Sequence, residues 1–130
     1  MKRVLVIEDE QMVRDVCARI LERAGYFVAL AENGKEGLRL FNESPFDLVI
    51  TDIFMPEMDG LEFIRQLRRI EPSVKLVAMS GGGRHEDFEA LRPAMHMGAA
   101  RILVKPFDKT DLLKVVEDVL DVEKPPAAAS

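Results

Sequence analysis

The stretch DLVITDIFMPEMDG, residues 47–60, decides the architecture of this chain. Leu48, Val49 and Ile50 form an apolar run typical of a strand buried on both faces, yet the run ends in Thr51 and Asp52. Pro56 and Asp59-Gly60 mark the loop that follows, so Asp52 stands where the strand stops. A carboxylate at the end of a buried strand needs a reason, and the other strands supply it.

Four further β-rich runs alternate with amphipathic stretches: RVLVI (3–7), YFVALA (26–31), VKLVAMS (74–80) and ARILV (100–104). Between the first two, Met12, Val13, Val16, Cys17, Ile20 and Leu21 recur at helical spacing, and Gly25 ends that helix. Asn33 is placed to cap a second helix running to about Asn42. Leu61, Ile64 and Leu67 line a third, closed by Glu71-Pro72, and Leu112, Leu113, Val116, Val119 and Leu120 stripe the last. Strands alternating with helices imply an α/β domain, a parallel sheet covered on both faces. Right-handed crossovers then bring the C-terminal ends of all strands to one edge.

That edge is polar. The first strand runs into Glu8-Asp9, the third into Asp52, the fourth into Ser80 and the fifth into Lys105. In a doubly wound sheet of order 2-1-3-4-5 the first and third strands are neighbours at the switch point, where such folds bind ligands, and Glu8, Asp9 and Asp52 converge. Crowded carboxylates repel, so a proton or a cation must lie among them. Mg²⁺ suits the site because it takes oxygen ligands, needs only one or two protein carboxylates and leaves positions open for an anionic substrate. With Lys105 as a second cation and Ser80 as a short hydroxyl donor, Asp52 reads as a nucleophile towards phosphorus, a phosphate acceptor.

Bulk properties set limits. The chain has 130 residues, 48% of them hydrophobic, enough for one core. A net charge of -5 argues against nucleic acid as a direct partner. Charges of both signs are scattered, as on solvated helix faces. The one cysteine, Cys17, falls on the apolar stripe of the first helix; it excludes an internal disulfide and suits a reducing compartment. No apolar run reaches membrane-spanning length and MKRVLVIEDE lacks a secretory core, so the expected location is the cytoplasm. EKPPAAAS at the C-terminus has no periodicity, giving a domain over 1–122 and a tail over 123–130.

The acidic pair after the first strand, DLVITDIFMPEMDG and VKPF together resemble the receiver domain of two-component response regulators, over about residues 2–122. The resemblance implies a flavodoxin-like fold, five parallel strands with five helices, and phosphoryl transfer from a sensor histidine kinase or phosphotransfer protein. It makes Asp52 the acceptor, with Mg²⁺ held by Asp9, Asp52 and the backbone carbonyl of Phe54, and matches Glu8, counted with them as a metal residue, to the second member of the acidic pair. Lys105 matches the family's lysine, the Lys105-Pro106 bond matches one that is usually cis, and Ser80 matches the hydroxyl residue that turns towards the phosphoryl group. The output, with no output domain following, is contact with an unknown downstream protein or phosphorelay, by a monomer or weak dimer, and the only catalysis is of its own phosphorylation and dephosphorylation.

Two departures from the family pattern stand out. Ile102 occupies the position of an aromatic residue that swings inward on activation, which an isoleucine cannot reproduce. SGGGRHEDFEALRPAMHMGA (80–99) is long, with three glycines and Pro93 where the fourth helix should run, so that helix is expected to be short, kinked or displaced. Competing readings are an Asp52 that merely forms a turn, a Glu8 and Asp9 that cap the first helix, and a pseudo-receiver that only binds partners. A phosphohydrolase with an aspartyl-phosphate intermediate is a further rival, although Phe54 replaces the second acid such enzymes use.

Overall fold

The apolar run Arg3–Ile7 forms the first strand, β1, and all but Arg3 of it is inaccessible to solvent, which requires cover on both faces. In the computed structural model, which describes residues 1–53, 60–81, 96 and 98–121, that cover comes from helices on either side of a five-stranded sheet. After β1 follow α1 (Gln11–Arg23), β2 (Phe27–Ala31), α2 (Gly34–Glu43), β3 (Leu48–Asp52), α3 (Gly60–Ile70), β4 (Lys75–Ser80), β5 (Arg101–Val104) and α4 (Lys109–Asp121). All strand pairs are parallel and the order is β2-β1-β3-β4-β5, as expected. Four helices lie among the described residues; the short or kinked helix expected between β4 and β5, with Pro93, lies outside them, as do Phe54 and the tail over 123–130.

Alternation along the strands sorts the core into two layers. Leu5, Ile7, Val49, Leu76 and Ala78 pack with Phe41, Phe63, Ile64 and Leu67 of α2 and α3. Val4, Val6, Leu48, Ile50, Val77 and Met79 pack with Cys17 and Leu21 of α1 and Leu112, Val116 and Leu120 of α4. Ile102, paired with Ala78, packs half-buried against the first layer. Gly37 lets α2 come close to the sheet: a Cβ there would stand 2.6 Å from Ile7 Cδ1 and 3.2 Å from Phe63 Cε1.

Helix ends obey local chemistry. Asn33 caps α2 by accepting from the Glu36 N–H at 2.9 Å, while Glu36 accepts from the Glu32 N–H. Asp108 and Asp111 cap α4 reciprocally. Gly25 ends the turn after α1 with φ +99°, a left-handed conformation that favours glycine. Tyr26, expected in β2, belongs to that turn and donates its N–H to Leu21 O.

Candidate functional site

Parallel register places the site residues. Ile7 pairs with both Ala31 and Thr51, so Glu8 and Asp52 emerge side by side where β1 and β3 end. Asp52 pairs with Met79, which puts Ser80 one step further along β4, opposite Val104 of β5. The Lys105 N–H then donates to Ser80 O at 2.9 Å, extending the ladder and fixing the start of the lysine at the same rim. The Lys105-Pro106 peptide is cis, as the resemblance implied.

These ends bring one ammonium among three carboxylates. Lys105 Nζ donates to Asp52 Oδ2 at 2.7 Å and also to Glu8 Oε1. The second Glu8 oxygen accepts from the Glu10 N–H at 3.0 Å, so Glu8 serves the entry to α1 as well as the acidic cluster. One carboxylate oxygen each from Glu8, Asp9 and Asp52 lies within 4.8 Å of the others. Asp9 is exposed, Asp52 is 5% exposed and Glu8 is wholly buried.

Burial has an electrostatic consequence. Loss of water pushes the Glu8 carboxyl from its ordinary 4.5 up to about 7, against the Lys105 and Glu10 hydrogen bonds, and the nearby charge of Asp52 adds to the rise. For Lys105, burial would depress the ammonium, but its bonds to Asp52 and Glu8 prevail and hold it above its ordinary value. Among the described residues, one ammonium stands against three carboxylates, too little positive charge to balance them.

That deficit, and the donor set itself, fit a hard divalent cation. Mg²⁺ takes oxygen ligands at about 2.1 Å, so two ligands on opposite sides stand about 4.2 Å apart, close to the span of the three carboxylates. The N-terminus of α1, immediately after Asp9 and Glu10, adds an end of the helix that favours anions. Asp9, Asp52, Gly81 and Lys105 line part of a cleft of about 620 Å³, whose other wall is apolar: Met12, Val13 and Val16 of α1 with Pro106 and Phe107.

The structure thus brings Glu8, Asp9, Asp52, Ser80 and Lys105 to one rim, while the Phe54 carbonyl lies outside the described residues. Arg14 escaped the sequence reading, which assigned the charges of α1 to a solvated face. Its side chain is only 14% exposed, and Nη1 donates to the Glu8 carbonyl at 2.7 Å. The usable signal was its place one turn after Glu10, on the side of α1 that returns towards the strand end.

Comparison with known proteins agrees with this geometry. The family model described as the response regulator receiver domain matches residues 4–117. The response regulator receiver protein CpdR of Brucella abortus is 37% identical over 123 residues, 92% of this chain and 98% of that one. The chemotaxis protein CheY of Thermotoga maritima is 34% identical over 119 residues, 91% of this chain and 97% of that one. Longer transcriptional regulators also match, and of these the chain spans about a quarter. Among solved structures, a response regulator receiver domain protein from Clostridium thermocellum aligns with a TM-score of 0.85 at 32% identity, covering 93% of this chain and 95% of that one.

Proposed function

The chain belongs to the response regulator receiver domain family, and from that membership we propose that it is a phosphorylation-dependent switch whose acceptor is Asp52. The donor is a phosphohistidine on a sensor histidine kinase or phosphotransfer protein. The observation that carries the reading is Lys105 Nζ, 2.7 Å from Asp52 Oδ2 and bonded also to Glu8, beside a cleft that Asp9 borders.

In the proposed transfer a carboxylate oxygen of Asp52 forms the new P–O bond as the P–N bond of the phosphoimidazole breaks. The departing ring nitrogen keeps the bonding pair, and the imidazole leaves neutral because it carries one proton. Lys105 has three N–H donors and so can exchange an Asp52 contact for a transferred phosphoryl oxygen without leaving Glu8. Ser80, at the adjacent strand end, is the proposed hydroxyl donor to the same group. Asp9, Asp52 and the Phe54 carbonyl are the proposed ligands of Mg²⁺; Glu8, with both oxygens engaged, contributes charge from behind them. When bound, the ion neutralises charge on the phosphoryl oxygens. Water attack on phosphorus then restores the carboxylate and releases inorganic phosphate, which resets the switch.

The apolar wall supports the partner assignment. Met12 is 77% exposed and Val16 41%, so one edge of α1 offers unpartnered apolar surface beside Asp52. An amphipathic helix carrying the phosphohistidine has the matching chemistry. The net charge of -5 disfavours nucleic acid, and output through protein contact or phosphorelay, by a monomer or weak dimer in the cytoplasm, completes the proposal. The test is intact mass after incubation with acetyl phosphate and MgCl2. A single phosphoryl adduct is expected on the wild type and none on Asp52→Asn or in EDTA. An undiminished adduct on Asp52→Asn would remove Asp52 from its role.

A further inference from the structure

Resting on the magnesium-dependent reading above, we infer that Arg14 is a positioning residue that sets metal affinity by fixing the peptide from which Asp9 hangs. Three of the contacts that hold Glu8 lie off the Glu8–Asp9 peptide. Its N–H donates to Ala31 O at 3.0 Å, its Oε1 accepts from Lys105 and its Oε2 from the Glu10 N–H. The remaining group is its carbonyl, one end of the peptide plane shared with Asp9, and Arg14 Nη1 fills it at 2.7 Å.

Asp9 differs from its neighbour because it is exposed. Its carboxylate is directed by the backbone that carries it and by a side-chain hydrogen bond with Glu8, and a peptide free to rock moves it relative to Asp52. Arg14 prevents the rocking from a rigid base, since its own N–H donates to Glu10 O in the first turn of α1. The same helix is anchored in the core by Cys17 and Leu21, which do not depend on the guanidinium. Glu32 lies 3.9 Å from Nη2 but is 64% exposed, too solvated to be the main purpose of the arginine. Partners that orient ligand-bearing groups typically govern metal affinity by 10–100-fold on removal.

Arg68 offers a control of the same chemistry. It donates to the carbonyls of Pro72, Val74 and Gly98, at the strand edge opposite the acidic rim. The experiment is calorimetric titration of Mg²⁺ into wild type, Arg14→Met, Arg14→Lys and Arg68→Met, each checked for cooperative unfolding. The expected result is an affinity lowered about 10–100-fold in Arg14→Met, an intermediate loss in Arg14→Lys, which keeps a cationic donor on a shorter side chain, and no change in Arg68→Met. Wild-type affinity in a folded Arg14→Met would overturn the proposal, and so would an equal loss in Arg68→Met. Should Arg14→Met not fold, wild-type affinity in Arg14→Lys together with an unmoved Asp9 amide resonance would overturn it. Failure of the wild type to bind Mg²⁺ would instead bring down the acidic-site reading itself, and this role with it.

Discussion

Glu8 gives the structure its sharpest consequence. A wholly buried carboxyl raised from 4.5 to about 7 holds a proton in the folded state that the unfolded chain releases. Between those values the folded state binds more protons, so its stability falls as pH rises, opposite to the trend of a favourably paired carboxylate. At about 1.4 kcal/mol per pH unit, the whole interval amounts to about 3 kcal/mol, of which about 2 kcal/mol falls between pH 5.5 and pH 8.

The perturbation that isolates this contribution is Glu8→Gln. Its amide oxygen can accept from Lys105, but the NH₂ then faces the Glu10 N–H, donor against donor. That mismatch costs about 1–3 kcal/mol and does not vary with pH, so it cancels in the comparison. The assay is urea unfolding of both proteins in EDTA at pH 5.5 and pH 8. Wild type should lose about 2 kcal/mol more than Glu8→Gln over that interval. Mg²⁺ at 100 times its dissociation constant should add about 2.7 kcal/mol to wild type at pH 8, and less at pH 5.5, where a proton already relieves the cluster. Parallel pH profiles for the two proteins would refute the reasoning, because no other residue has been changed.

Two further outcomes follow from the packing and charge of the same region. Lys105→Met removes the ammonium shared by Asp52 and Glu8 and should cost about 2–4 kcal/mol at pH 8, below the 3–5 kcal/mol of a fully broken buried pair because Glu8 can take a proton. The raised lysine stays charged at both pH values, so the pH dependence comes from Glu8: chemical unfolding should show a smaller loss at pH 5.5, where Glu8 is already neutral, and an equal loss at both would contradict the assignment. Gly37→Ala should destabilise by about 1 kcal/mol, the difference between an overpacking cost of about 1–3 kcal/mol and a helix-propensity gain of about 1 kcal/mol. In an Ile7→Val background, which lacks the obstructing Cδ1, Gly37→Ala should cost less in thermal melts than it does in the wild type, and a stabilised single variant would show that α2 has room to spare.

The fold was legible because burial leaves its mark on composition. β1, β3 and β4 each contain an apolar run (4–7, 48–50 and 76–79), which a sheet covered on both faces requires, and Asn33 announced the start of α2. β2 was read one residue too long because Tyr26 has strand-like chemistry, whereas its N–H is committed to Leu21 in the turn after α1. The rim residues were legible from their positions alone, since each follows an apolar run. The division of labour among them was not. Glu8 and Asp9 are adjacent acids of equal standing in sequence, and only packing shows that one is wholly buried between Lys105 and a helix entry while the other faces the cleft. Arg14 was hidden for a related reason: its partner is a backbone carbonyl, and every residue has one.

A common cause links these observations. Three carboxylates converge where strand register leaves no alternative, and the one ammonium among the described residues offsets only part of their mutual repulsion. The deficit can be met by a proton on Glu8 or, in the proposed reading, by a divalent ion at Asp9 and Asp52. Because Lys105 bonds Glu8 and Asp52 together, the proposed phosphoryl group, in drawing the ammonium away from Asp52, would alter the environment of Glu8 as well. Glu8 in turn receives the Glu10 N–H at the entry to α1, the helix whose exposed edge carries Met12 and Val16. The charge state of Asp52 and the footing of the surface beside it are therefore joined through one buried carboxylate.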